Sequence, residues 1–306
     1  DVDAGTKAKI AEVTAWAYQT RGIAMSGDGR TVVYQNRTSG GSVEYTLFAY
    51  DRILGQTRTL AIANAMFEDI GLSADGKYAV FSSGAVLTDG DTNEATDVFV
   101  ADLTLEDTVP ITRASLAAGG IEPMGNSMGA SISGDGRFVA FSSEAEELLP
   151  AEAPRYESFH RLFVYEIATG ELTFIPMAQE SGATAEWQVT EPSLSYDGGK
   201  IAFHALNGTI TNYNRKMLVV YDRSSNERNI VHELPSSSDI DIQRPYLSAD
   251  GGYILADYVN YDASFEEAPF AAQRGAARFA AEVPGQIRHI GWLTGSTRDA
   301  RMSSDG

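Results

Sequence analysis

The chain has 306 residues, 43% hydrophobic and 10% aromatic, enough apolar material for a large core, which excludes a disordered chain and a disulfide-stapled miniprotein. Twenty-three Lys and Arg against 42 Asp and Glu leave a net charge of −19, a field that repels phosphate backbones and anionic lipid. There is no Cys, hence no thiol nucleophile, thiolate zinc site or disulfide, and no apolar run approaches the roughly 18–20 residues of a spanning helix. The opening DVDAGTKAKI lacks the pattern of a signal peptide.

In chain order, KIAEVTAW (Lys9 to Trp16) reads as an outer strand with no blade of its own. The tetrapeptide Ser-x-Asp-Gly then appears at Ser26 and returns at Ser73, Ser133, Ser195, Ser248 and Ser303, at spacings of 47 to 62 residues. Each copy is expected to end an inner strand and turn it into a hairpin: Gly supplies φ > 0 without steric cost, and the Asp carboxylate accepts nearby backbone N–H groups. After the first copy come TVVYQ from Thr31, TLFAYDR from Thr46 and TRTLAIA from Thr57, three short β-rich runs. The second repeat has YAVFSS from Tyr78, DVFVADL from Asp97 and TVPITRA from Thr108. The third has FVAFSS from Phe138, RLFVYEI from Arg161 and ELTFIPM from Glu171, and the fourth KIAFHA from Lys200, MLVVYDR from Met217 and RNIVHEL from Arg228. The second of the three runs in each repeat closes on an acid, at Asp51, Asp102, Glu166 and Asp222. YILADY from Tyr253 continues the pattern more loosely. It leads into an insert, Asn260 to Gln286, whose AAQRGAARFAAEV fits either a short helix or an edge strand.

Four short strands per repeat predict an all-β protein, a β-propeller of six blades of four antiparallel strands, with one blade incomplete at the chain ends. Residues 1–306 form a single propeller domain in this reading. The last Ser-x-Asp-Gly ends the sequence, so the chain reads as an excerpt of a longer polypeptide, in which strand 9–16 helps to close the blade begun at 299–306. An imperfectly closed natural propeller is the alternative. Ser-x-Asp-Gly-Arg/Lys followed by a VAF or IAF strand, as in ISGDGRFVAFSS from Ile132 and LSADGKYAVFSS from Leu72, is similar to the PD40 repeats of the TolB-like propellers. The resemblance covers nearly the whole chain and identifies a repeat type rather than one activity.

Candidate sites are few. Asp89, Asp91, Asn93 and Asp97 place oxygens at positions 1, 3, 5 and 9 of a loop, which suits Ca²⁺, although position 12 is Val100 instead of the bidentate Glu; a solvated acidic loop is the competing reading. Gly125-Asn126-Ser127-Met128-Gly129 matches the G-x-S-x-G nucleophile elbow, but no strand precedes it and no helix follows, so the match is expected to be accidental. His160, His204, His232 and His289 fall at unlike positions of the repeats and form no metal or acid–base set. Trp16, Trp187 and Trp292 each stand shortly before a Ser-x-Asp-Gly, near the crossover between blades. Packing between blades and partner binding are both open to them.

The expectation for function is a non-catalytic propeller that binds or assembles protein in a periplasmic or extracellular space, the location being implied by the family resemblance. One alternative is the gating propeller of a larger prolyl-oligopeptidase-like hydrolase, since PD40-like blades resemble those domains as well. Another is a structural subunit of a surface layer or filament whose incomplete blade is finished by a neighbouring copy, so that self-assembly is possible. No nucleic acid and no transmembrane segment is expected.

Overall fold

The computed structural model describes residues 22–38, 43–105, 107–153, 159–177, 187–209, 212–235, 240–260, 273–281 and 287–293. Its strands form five four-stranded antiparallel sheets, each paired in chain order. Blade one is β1 (Ile23–Met25), β2 (Thr31–Thr38), β3 (Glu44–Asp51) and β4 (Gln56–Ala63); blade two is β5 (Glu68–Leu72), β6 (Tyr78–Ser83), β7 (Asp97–Asp102) and β8 (Ile111–Arg113). Blade three is β9 (Ser127–Ile132), β10 (Phe138–Ser143), β11 (Arg161–Glu166) and β12 (Leu172–Ile175); blade four is β13 (Trp187–Leu194), β14 (Lys200–Thr209), β15 (Asn212–Asp222) and β16 (Glu227–Pro235). Blade five is β17 (Ile240–Leu247), β18 (Tyr253–Asn260), β19 (Gln273–Ala280) and β20 (Ile287–Leu293). The first strands touch in succession, β1 to β5, β5 to β9, β9 to β13 and β13 to β17, so they surround the axis of a β-propeller. The sixth Ser-x-Asp-Gly and strand 9–16 lie outside the described residues.

Five turns share one hydrogen-bond pattern, which explains why the tetrapeptide recurs. In the second, Ser73 Oγ donates to Asp75 Oδ1 (2.7 Å) and accepts the Tyr78 N–H (3.1 Å), while Asp75 Oδ1 also accepts the Lys77 N–H (3.1 Å). The same bonds recur at Ser26/Asp28, Ser133/Asp135, Ser195/Asp197 and Ser248/Asp250. The glycines sit at φ +67° to +72°, the left-handed conformation the sequence requires of them. These bonds stabilise the ionised carboxylates. Ser26 and the Arg30 N–H hold Asp28 below the usual range, and the Gly199 N–H and Ser195 do the same for Asp197.

The x position has a role that no single repeat reveals. Each turn bonds to the next blade's turn: Gly27 N–H to Ala74 O, Ala74 N–H to Gly134 O, Asp135 N–H to Tyr196 O and Tyr196 N–H to Ala249 O, all 2.8 Å. The acids that close the third strands cap the hairpins to the fourth strands; Asp51 Oδ1, for example, accepts the Ile53 and Leu54 N–H groups at 2.8 and 2.9 Å.

The core lies between blades rather than within them, because each sheet buries its faces against its neighbours. One cluster joins Val33 and Leu47 of blade one to Phe81 and Phe99 of blade two, and comparable clusters join each later pair. In blades one to three an aromatic of the second strand faces one on the third: Tyr34 opposite Phe48, Phe81 opposite Phe99 and Phe141 opposite Phe163, with centroids 5.5 to 5.7 Å apart. In the insert, QRGAARFA (Gln273–Ala280) becomes β19, the third strand of blade five. It is neither a helix nor an edge strand: backbone pairing on both sides, with β18 and β20, outweighs the helix propensity of its alanines.

Candidate functional site

The axis carries a feature found by looking four residues before each Ser of the tetrapeptide. There β5, β9, β13 and β17 each lose register against the adjacent strand, forming a β-bulge at Asp69, Gly129, Glu191 and Arg244. All four residues have positive φ (52°, 71°, 53° and 49°), a conformation that costs a non-glycine residue about 1–2 kcal/mol. These bulges line a cavity of about 250 Å³ bounded by the first strands of all five blades. Asp69 Oδ2 accepts the Gly129 N–H (2.8 Å) and the Ser82 hydroxyl (2.9 Å); Glu191 Oε2 accepts the Arg244 N–H (2.7 Å). A carboxylate at one bulge thus clamps the bulge of the next blade. Arg244 Nη1 lies 3.6 Å from Asp257, placing one guanidinium between two acids at the axis.

The second charged centre is the loop 84–96. Asp91 and Asp97 do come together, but around a guanidinium: Arg113 Nη1 is 3.3 Å from Asp91, 3.1 Å from Asp97 and 3.3 Å from Glu122. Ser115 Oγ donates to Asp97 at 2.5 Å. Burial works against the Arg113 charge, yet Asp97 more than offsets it and its pKa is raised; burial and the Asp97 charge push Asp91 up in spite of Arg113. Asn93 donates to Pro123 O (2.5 Å) and accepts the Ala95 N–H (2.9 Å), while Asp89 is exposed at the loop tip. The positive charge these side chains surround is therefore the protein's own. Among the described residues, no group of three or more His, Cys, Asp or Glu side chains is gathered to hold a metal ion.

The G-x-S-x-G match is accounted for residue by residue. Ser127 opens β9, is fully buried and donates to Ser143 Oγ at 2.8 Å. A Cβ on Gly125 would come within 2.6 Å of the Ala145 backbone nitrogen, and Gly129 is a bulge residue at φ +71°. Of the histidines, His160 lies 3.3 Å from Glu144 and 3.1 Å from Gln188; burial pushes its pKa down, against the pull of Glu144. His204 is buried on β14 and His232 lies on β16. Trp187 opens β13 and packs half-buried against the core between blades three and four. Trp292 lies near the end of β20 with its backbone paired to Gly275, and Trp16 is outside the described residues.

No protein-family model matches the sequence and no curated protein matches it. Solved structures match by shape. A TolB structure from Agrobacterium tumefaciens superposes with TM-score 0.54 at 14% identity, covering 89% of this chain and 80% of that one. Oligogalacturonate lyase from Vibrio parahaemolyticus gives 0.54 at 13% identity, covering 90% of this chain and 65% of the other. Prolyl oligopeptidase B from Galerina marginata gives 0.53 at 10% identity, covering 88% of this chain and only 34% of its own. At such identities the likeness shows the fold alone: this is a β-propeller, similar in shape to those of the TolB structures. Among the described residues no helix is long and apolar enough to cross a membrane.

Proposed function

We propose that the chain is a non-catalytic propeller, built of PD40-type repeats, that works outside the cytoplasm by holding another protein. The observation that carries this reading is the commitment of its candidate nucleophile to the scaffold: the hydroxyl of buried Ser127 is bonded to Ser143 and, among the described residues, to no His, Asp, Glu, Lys or Arg. The charged residues retained in strained conformations, Asp69, Glu191 and Arg244, line the axis instead, where a propeller presents concave surface to a ligand. The likeness to TolB structures supports the reading of a binding module.

In-cell photocrosslinking tests it, with benzoyl-phenylalanine placed in turn at Val86, Met124, Leu54 and Tyr196, all exposed. A discrete protein adduct is expected from at least one position, together with no turnover of ester or prolyl-peptide substrates. Hydrolysis abolished by Ser127→Ala would overturn the proposal.

The gating-domain alternative draws on the coverage of Galerina marginata prolyl oligopeptidase B, of which this chain spans a third. Its mark would be a strand–elbow–helix sequence on the same polypeptide beyond these residues. A calcium ion that stiffens the 84–96 loop through Asp89, Asp91, Asn93 and Asp97 would compete with Arg113 for the same carboxylates. Calorimetry at millimolar Ca²⁺ decides the matter: heat in the wild type that Asp91→Ala abolishes supports the ion.

A further inference from the structure

The two ends of the propeller differ in charge. The inner strands run toward the Ser-x-Asp-Gly turns, where cations and acids pair: Arg30 with Asp51, Lys77 with Asp75 and Arg137 with Asp135. At the opposite end, the connections 84–96, 114–126 and 144–160 of blades two and three hold nine acids against a single Arg, Arg155, and no Lys. They form one assembly: Glu122 accepts the Thr92 hydroxyl (2.7 Å), Asn126 accepts the Thr96 N–H (3.0 Å), and Glu147 accepts the Met124 N–H (3.3 Å). Arg113 beneath them is buried and spent on Asp91, Asp97 and Glu122.

A second and independent observation lies on the same connections. Val86, Ile121 and Met124 are 70%, 59% and 67% exposed, three large apolar side chains held out to solvent among the acids. The solubility that acidic residues provide does not call for them, and exposed apolar residues rimmed by charge are the composition of a protein-binding surface. We infer that the connection end of blades two and three docks a basic protein segment, its Lys or Arg side chains meeting the acids and its apolar side chains covering Val86, Ile121 and Met124. The inference rests on the reading of the chain as a protein-binding propeller and says which end, and which chemistry of partner, that reading involves.

Fluorescence anisotropy on the whole chain, at about 0.15 M salt, tests it with two labelled peptides of equal charge: hexalysine, and a peptide that interleaves six lysines with leucines. One variant carries Asp89→Asn, Glu94→Gln and Glu152→Gln; a control carries Asp107→Asn, Glu171→Gln and Glu227→Gln. All six positions are exposed. The first triple should weaken binding of the lysine–leucine peptide about tenfold and the control less than twofold, while Ile121→Ala and Met124→Ala weaken that peptide and leave hexalysine unchanged. Equal weakening by the two triples would show a polycation responding to net charge alone and would overturn the inference. Equal affinity for the two peptides would do so as well. Photocrosslinks arising only from Leu54 or Tyr196 would sink this surface and leave the protein-binding reading standing.

Discussion

The turn end and the connection end of this propeller are built from the same five sheets, yet they follow opposite rules. At the turn end, short hairpins repeat one set of bonds five times and each hairpin is tied to the next through backbone groups, so the residue types allowed are few and the charges are paired locally. At the connection end the loops differ in length and composition from blade to blade, and their cohesion depends on single long-range contacts such as Arg113 with Asp97. The lesson is that repetition marks scaffold, and departure from it marks the places where charge and apolar surface are left for other uses.

The largest expected effect breaks the connection end. Arg113 is 4% exposed, and its removal leaves Asp97, fully buried, and Asp91, 5% exposed, without their cation. Arg113→Ala should lose about 3–5 kcal/mol in urea unfolding. Arg113→Met with Asp97→Asn should recover part of that loss, because the stranded charge goes with it. If Arg113→Ala unfolds like the wild type, the loop is not organised by the guanidinium.

Next comes Gly125→Ala, at the same end. The new Cβ would meet the backbone of Glu144 and Ala145 at 2.6 to 2.9 Å, and backbone cannot swing aside, so a loss of about 2–3 kcal/mol is expected. Thermal denaturation of Gly125→Ala beside Gly55→Ala makes the contrast: nothing lies within 4 Å of a Cβ at Gly55, and only its φ of +66° is strained.

The turn end should give smaller and mutually equal effects. Ser73→Ala and Ser133→Ala each remove a hydroxyl that donates to the Asp and accepts the strand N–H, with an expected cost of about 1–2 kcal/mol apiece. Unequal losses, read from urea midpoints, would mean that the turns are alike in sequence but not in energetics.

The smallest effect is the pH dependence, in which Asp91 runs against the turn carboxylates. Asp28, Asp197 and Asp250 have folded pKa values below 3.8, so their contribution is present above that pH and is lost as pH falls through the folded values. Asp91 has a folded pKa above 3.8, so its contribution is present below 3.8 and is lost as pH rises through the folded value. Hydrogen exchange on acidification should therefore show the Arg30, Gly199 and Gly252 amides, which these turn carboxylates hold, losing protection; unchanged exchange there would contradict the assignments.

The strands and turns were legible in the sequence because a blade is local: Ser, Asp and Gly within four residues fix the hairpin, and alternating apolar runs fix which face is buried. TLFAYDR, DVFVADL, RLFVYEI and MLVVYDR are third strands as read, and the five described tetrapeptides turn where expected. The helix-like alanines of β19 misled for the converse reason, since their conformation comes from pairing with strands on either side.

What only the tertiary structure decided is where residues distant in the chain meet. Asp91 and Asp97 share the guanidinium of Arg113, which stands beyond the next strand and gives no sign in the sequence that it folds back between them. The G-x-S-x-G match likewise needed the backbone at Ala145 and the hydroxyl of Ser143 to become a packing motif. The axial residues were hidden differently. Gly22, Asp69, Gly129, Glu191, Arg244 and Asp299 all stand four before a Ser-x-Asp-Gly serine, a spacing open to reading, but they share no chemistry. What four of them, Asp69, Gly129, Glu191 and Arg244, share is a bulge with positive φ, a property of the backbone that side-chain patterns do not carry, and only closure of the blades about an axis brings them to one cavity.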